Sequence, residues 1–111
     1  MTVKVAWCYH GVCVTKATYS LGLVKGLMKD GNWHLTESAR DTAMYLGFDE
    51  ADVYDCVVNC LEETHFYKTM AANTRLGLMQ DVYYITYRRE RLYVQLQVWV
   101  EAVVVSFKEQ D

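Results

Sequence analysis

Between residues 91 and 109 apolar and polar side chains alternate with a period of two, and the two halves of this stretch match each other across a central turn. A two-residue turn at Val100-Glu101 sets position 93 opposite 108, 95 opposite 106 and 97 opposite 104. One face then collects Val94, Leu96, Val98, Val103, Val105 and Phe107, an apolar surface that something else must cover. The other collects Tyr93, Gln95, Gln97, Trp99, Ser106 and Lys108. A slip of one residue would put polar side chains into the covered face, so the alternation fixes the register although Val-Glu is poor turn chemistry.

The covering layer is supplied upstream. Ser20 is placed to cap a helix whose apolar residues Leu21, Val24, Leu27 and Met28 follow helical spacing, and Asp30-Gly31 stops it. Asn32 to Leu35 reads as a short extended link. Thr36 caps a second helix through Tyr45 or Leu46 that ends at Gly47, and Asp49 caps a third with Val53, Val57, Cys60 and Leu61 on its buried stripe. After Glu62-Glu63 the period becomes two, predicting strands at His65–Met70, 79–86, 91–99 and 102–109, with a loop over 71–78. The expected fold is α+β: N-terminal helices packed on one face of a twisted antiparallel sheet. One domain spans 1–111, with an N-terminal extension over 1–17, a helical half over 18–63 and a sheet half over 64–111. Within the extension, residues 2–15 alternate weakly and predict a strand broken near Gly11.

With 111 residues, 52% of them hydrophobic, the chain suits a single core, and the absence of Pro argues against long linkers. No apolar run approaches the ~18 residues of a membrane helix, and the start lacks a signal peptide's apolar region, so a cytoplasmic protein with no membrane partner is expected. Cys8, Cys13, Cys56 and Cys60 lack C-x-x-C spacing. Cys8, His10 and Cys13 would need further ligands to hold a metal, and Cys56 and Cys60 lie one helical turn apart beside Val57 and Leu61, as core thiols do. No metal and no cofactor are expected. A net charge of −3 excludes a protein held on nucleic acid by a strong overall positive field. The charge is uneven, however: residues 1–63 carry five basic against nine acidic side chains, and residues 64–111 six against five. A polyanion site belongs in the second half.

A four-residue loop from Thr86 to Arg89 would set Gln80 opposite Gln95 and diagonal to Tyr93, gathering Gln80, Tyr93 and Lys108; a two-residue loop at Arg89-Glu90 would move Gln80 about four residues along. That patch, with Arg88, Arg89 and Arg91 nearby, combines an aromatic for stacking, a carboxamide for base edges and a cation for phosphate. The same residue types also cover ordinary exposed sheet faces.

Three strings resemble the MqsR toxins, mRNA interferases of bacterial toxin–antitoxin systems: Phe66-Tyr67-Lys68-Thr69-Met70, Gln80-Asp81-Val82-Tyr83 and Val105-Ser106-Phe107-Lys108-Glu109, at similar spacing. Val24-Lys25, Gly31, Ser38-Ala39 and Leu46-Gly47 extend the likeness over residues 18 to 110. The resemblance implies a RelE/YoeB-like fold and a metal-free, ribosome-independent endoribonuclease that cuts single-stranded mRNA, in the family preferentially at GCU. It carries catalytic roles to Lys68, Gln80, Tyr93 and Lys108, with Tyr67 and Met70 beside them; Tyr84, Arg88, Arg89 and Arg91 join these as RNA-binding candidates. The family's arginine after Q-D-V-Y is here Tyr84, and a histidine of the last hairpin is here Val100. In the implied mechanism the substrate 2′-hydroxyl attacks. One of Lys68 and Lys108 takes its proton while the other stabilises the phosphorane, Tyr93 donates to the leaving oxygen or orients the phosphate, and Gln80 holds a base edge or phosphate oxygen, roles that can be exchanged. Resemblance also implies a cognate antitoxin, MqsA-like, zinc-containing and DNA-binding, and no direct DNA binding by this chain. The competing class is a non-catalytic module that binds RNA or protein on the same face.

Overall fold

The computed structural model describes residues 7–9, 12–14, 16–71, 78–99 and 101–110. In chain order the elements are β1 (Trp7–Tyr9), β2 (Val12–Val14), α1 (Leu21–Lys29), β3 (Trp33–Leu35), α2 (Glu37–Tyr45), α3 (Glu50–Asp55), β4 (Phe66–Ala71), β5 (Met79–Tyr87), β6 (Glu90–Trp99) and β7 (Glu101–Glu109). The expected weak strand over 2–15 is a small antiparallel hairpin of β1 and β2, with Cys8 opposite Cys13. His10, on which the metal reading of Cys8, His10 and Cys13 depends, the turn position Val100 and most of the 71–78 loop lie outside the described residues.

The helices start where their caps put them. Ser20 Oγ accepts from Leu23 N at 3.2 Å, Thr36 Oγ1 from Ala39 N at 3.1 Å, and Asp49 and Asp52 exchange side-chain-to-backbone bonds of 2.9 and 3.0 Å in a capping box. Gly31 and Gly47, at φ +82° and +89°, end the first two by turning the chain left-handed. α1 buries Leu21, Val24 and Met28, each contributing about 1.5–3 kcal/mol. α2 buries only Ala39 and Ala43, whose small side chains let the helix lie close to the sheet. α3 runs on as a π-helical turn over Cys56–Cys60, with Cys56 in the core and Cys60 half-buried. Burial, with Cys60 and Asp55 nearby, pushes the Cys56 thiol up to about 12, so it is inert at neutral pH.

The five-stranded sheet has the order β3-β7-β6-β5-β4. It is mixed rather than antiparallel: the expected link at Asn32–Leu35 is strand β3, which pairs parallel to β7 through Trp33↔Ala102 and Leu35↔Val104. Three residues leave a helix-period or strand-period signal too short to read, and pairing with a distant strand decides their conformation. Past the end of β3, Thr42 Oγ1 donates to Phe107 O at 2.6 Å and satisfies part of the β7 edge.

Two register details correct the sequence reading. The β6–β7 pairing follows the expected Tyr93↔Lys108 and Gln95↔Ser106, then shifts to Leu96↔Val104 and Gln97↔Val103. Val105 is the extra residue of a β-bulge, its carbonyl accepting from Thr36 Oγ1 at 2.8 Å. The covered face is therefore Val94, Leu96 and Val98 with Ala102, Val104 and Phe107, not Val103 and Val105. The β5–β6 loop has the shorter of the two expected lengths but sits one residue earlier than Arg89-Glu90. Tyr87↔Glu90 closes it with Arg88-Arg89 alone, at φ +49° and +73°. That is the left-handed backbone of a tight hairpin turn, which normally takes Asn or Gly.

Candidate functional site

α1, α2 and α3 pack on one face of the sheet, where Tyr83, Ile85, Leu92, Val94, Leu96, Val104 and Phe107 form the core with Val24, Met28, Val53 and Val57. No helix among the described residues covers the opposite parity. It carries Lys68 and Met70 from β4, Gln80, Val82, Tyr84 and Thr86 from β5, Arg91, Tyr93, Gln95, Gln97 and Trp99 from β6, and Glu101, Val103, Ser106 and Lys108 from β7.

At its centre is Gln95, buried although it lies on the open face. Its Oε1 accepts from Tyr93 OH and from Ser106 Oγ, both at 3.2 Å, and its Nε2 donates to Gln80 Oε1. Gln80 Nε2 in turn donates to Gln97 Oε1 at 2.7 Å. The chain Tyr93–Gln95–Gln80–Gln97 fixes both carboxamides, so Gln80 presents a held donor and acceptor rather than a rotating one. The sequence placed Gln95 on this face without showing that it joins Gln80 to Tyr93.

An aromatic row borders this network. Tyr67, at a bulge between Phe66 and Lys68, stacks on Tyr84 with centroids 4.4 Å apart and planes at 13°, and Tyr84 lies 5.9 Å from Tyr93. Lys68 Nζ sits 5.6 Å from the Tyr67 centroid and Lys108 Nζ 4.8 Å from that of Tyr93. The two lysines are thus anchored at opposite ends of the row, on strands three spacings of ~4.8 Å apart. Burial, reinforced by Tyr84 and Tyr67, raises the Tyr93 phenol above its ordinary value. It is a neutral O–H at physiological pH, suited to donate a proton or hydrogen bond.

Lys68, Gln80, Tyr93, Lys108, Tyr67, Met70, Tyr84 and Arg91 therefore share one face. Arg88 does not: its guanidinium bonds Asp52 Oδ1 at 2.6 Å, lies 3.7 Å from Asp55 Oδ2 and covers the Tyr87 ring at 4.9 Å, all on the helical side. Arg89 is exposed at the tip of the turn. Asp81, between Gln80 and Val82 in the same string, points to the covered face and accepts from Thr18 N and Tyr19 N at 2.9 and 2.8 Å. The acidic balance of the chain spares the open face: among the described residues of β4–β7, Glu101 is the one carboxylate of this parity, and it bonds His34 Nδ1 at 2.9 Å. Glu101 pairs with Trp99, six residues along β6 from the Tyr93 that faces Lys108, about 20 Å at ~3.4 Å per residue.

The sequence profile of a family described as "Motility quorum-sensing regulator, toxin of MqsA" matches residues 16–109. The chain belongs to the MqsR toxin family. A curated relative, the mRNA interferase toxin MqsR of Escherichia coli (strain K12), is 33% identical over 89 residues, which cover 80% of this chain and 90% of that protein. The matched region of this MqsR-family chain includes every residue of the open face described above.

Proposed function

We propose that this MqsR-family chain is an mRNA interferase that cuts single-stranded RNA, without the ribosome and without a metal ion, by attack of the substrate's own 2′-hydroxyl. The observation that carries the reading is the convergence of Lys68, Gln80, Tyr93 and Lys108 on one face that no helix covers and from which acidic side chains are withdrawn. O2′ attacks phosphorus, the P–O5′ bond breaks, and the products are a cyclic phosphate and a 5′-hydroxyl. Lys108, held over Tyr93, neutralises charge developing on the phosphorane. Tyr93, whose bond to Gln95 is long, releases it to protonate the leaving oxygen. Lys68, at the other end of the row, receives the 2′-hydroxyl proton as the neutral amine, becoming the ammonium. Tyr67 stacked on Tyr84 offers a base platform, where stacking contributes about 1–3 kcal/mol per base, and Gln80 with Met70 opposite it borders the adjoining base edge. The chain works in the cytoplasm with a cognate, MqsA-like antitoxin that is zinc-containing and DNA-binding.

The test is incubation of purified protein with single-stranded RNA containing GCU, in chelator, alongside Lys68→Ala and Lys108→Ala. Cyclic-phosphate product from wild type that both variants lack supports the enzyme. Intact RNA that is nevertheless bound supports a non-catalytic module, and chelator-sensitive cleavage overturns the metal-free chemistry.

A further inference from the structure

The open face continues beyond Tyr84 and Tyr93 into a shallow groove of about 410 Å³ lined by His65, Tyr84, Ile85, Thr86, Arg91 and Gln110. All of these side chains except Ile85 carry hydrogen-bond donors. Arg91 and Thr86 are paired across β5 and β6, both exposed. Among the described residues the Arg91 guanidinium has neither an ion pair nor a hydrogen bond, whereas Arg88 is consumed by Asp52 and Asp55 and Arg40 by Glu50. His65 Nδ1 accepts from Glu62 N at 2.9 Å. That bond fixes the neutral tautomer and leaves Nε2–H as the group free for a ligand.

We propose that His65, Thr86 and Arg91 form a subsite for an internal phosphodiester of the RNA, one linkage away from the bond that is cut; this rests on the reading of the open face as an RNA site. The ligand chemistry follows from the lining: a forked cation, a hydroxyl and an imidazole N–H, with no carboxylate among the described lining residues, suit an anion with several acceptor oxygens. The place in the strand follows from geometry. Arg91 lies two residues from Tyr93 on the same face, about 7 Å at ~3.4 Å per residue, comparable to the repeat of an extended single strand. Tyr84, which lines the groove and also touches Tyr67 and Tyr93, makes the two sites continuous.

The test uses the full chain and two variants, Arg91→Gln and His65→Asn. Asparagine keeps an acceptor for Glu62 N while removing the groove donor, and thermal melts verify folding. Binding is measured with a GCU-containing single strand made uncleavable by 2′-deoxy substitution at the cut nucleotide, over a salt series and with a neutral methylphosphonate walked along the backbone. Arg91→Gln is expected to weaken binding about tenfold and to lower the slope of log affinity against log salt by about 0.7; His65→Asn weakens it about threefold. One methylphosphonate position, adjacent to the cut linkage, costs wild type affinity and costs Arg91→Gln none. Unchanged salt slopes, or no such position, overturn the subsite, and if wild type still cleaves while Lys108→Ala does not, the nuclease reading stands without it. Dependence on Arg91 only in 5′-phosphorylated strands overturns the internal assignment in favour of a terminal phosphate. A wild type that binds but never cleaves ends the nuclease reading while the methylphosphonate scan still decides the subsite. Failure to bind RNA overturns both.

Discussion

The two faces of the sheet are made from the same strands and differ in almost everything else. On the covered face, apolar side chains meet three helices, and the buried polar group Asp81 is saturated by two backbone N–H groups. On the open face, carboxamides and the Tyr93 phenol bond one another in a chain, and two lysine cations sit over neighbouring rings. The string Gln80-Asp81-Val82-Tyr83 shows how close the two uses lie, since consecutive residues alternate between reactive surface and framework. Side chains on one face should therefore govern turnover, and those on the other folding.

The largest effects should come from the open face. Lys108→Ala, Lys68→Ala and Tyr93→Phe are each expected to lower kcat/KM on a GCU-containing RNA by about 10²–10³, with melting temperatures close to wild type. Loss of folding in these variants would erase the division. Asp81→Ala reverses the balance: two charge-assisted bonds disappear and two N–H groups lose their partner, at about 3 kcal/mol in urea unfolding, while activity per folded molecule falls far less than in the lysine variants. At the turn that joins the faces, Arg89→Gly should raise stability by about 0.5–1 kcal/mol, because φ +73° strains any residue with a Cβ; a calorimetric melt reads it. The smallest effect is one of pH. Asp52 is held below its ordinary 3.8 first by Asp49 and then by Arg88, and Asp55 first by Asn59 and then by Tyr87. Carboxyls depressed on folding stabilise above about pH 4 and lose that contribution as pH falls through their folded values. Urea midpoints should thus drop between pH 4.5 and pH 3, and drop less in Asp52→Asn.

Much of this division was legible in the alternation of 91–99, because a period of two with one apolar parity admits one covered face. The helices were legible through Ser20, Thr36 and Asp49, each a side chain that does its capping locally. What the sequence hid was non-local or degenerate. In Val103-Val104-Val105 three identical side chains erase the parity, so only pairing with β6 and the carbonyl caught by Thr36 reveal the bulge. β3 is set by β7 rather than by its own residues. Arg88-Arg89 was hidden because it violates the turn rule that would have located it. Of the site, Tyr93 and Lys108 could be placed together from pairing, but Gln80 was set opposite Gln95 only by a four-residue loop that the structure lacks, Lys68 came only with the family strings, and the linking role of Gln95 needed coordinates. Arg88 shows the opposite error, a cation counted toward RNA that the helices had already claimed.

Asp81 also acts as a mechanical stop. A strand with polar groups on one side can creep along its neighbours, and a two-residue displacement of β5 would preserve parity while carrying Gln80 away from Gln95. The carboxylate one position along is latched to the peptide units of Thr18 and Tyr19 just ahead of the first helix, so such creep would have to drag the start of that helix with it. The alignment of the carboxamides is thus kept by a residue that faces away from them.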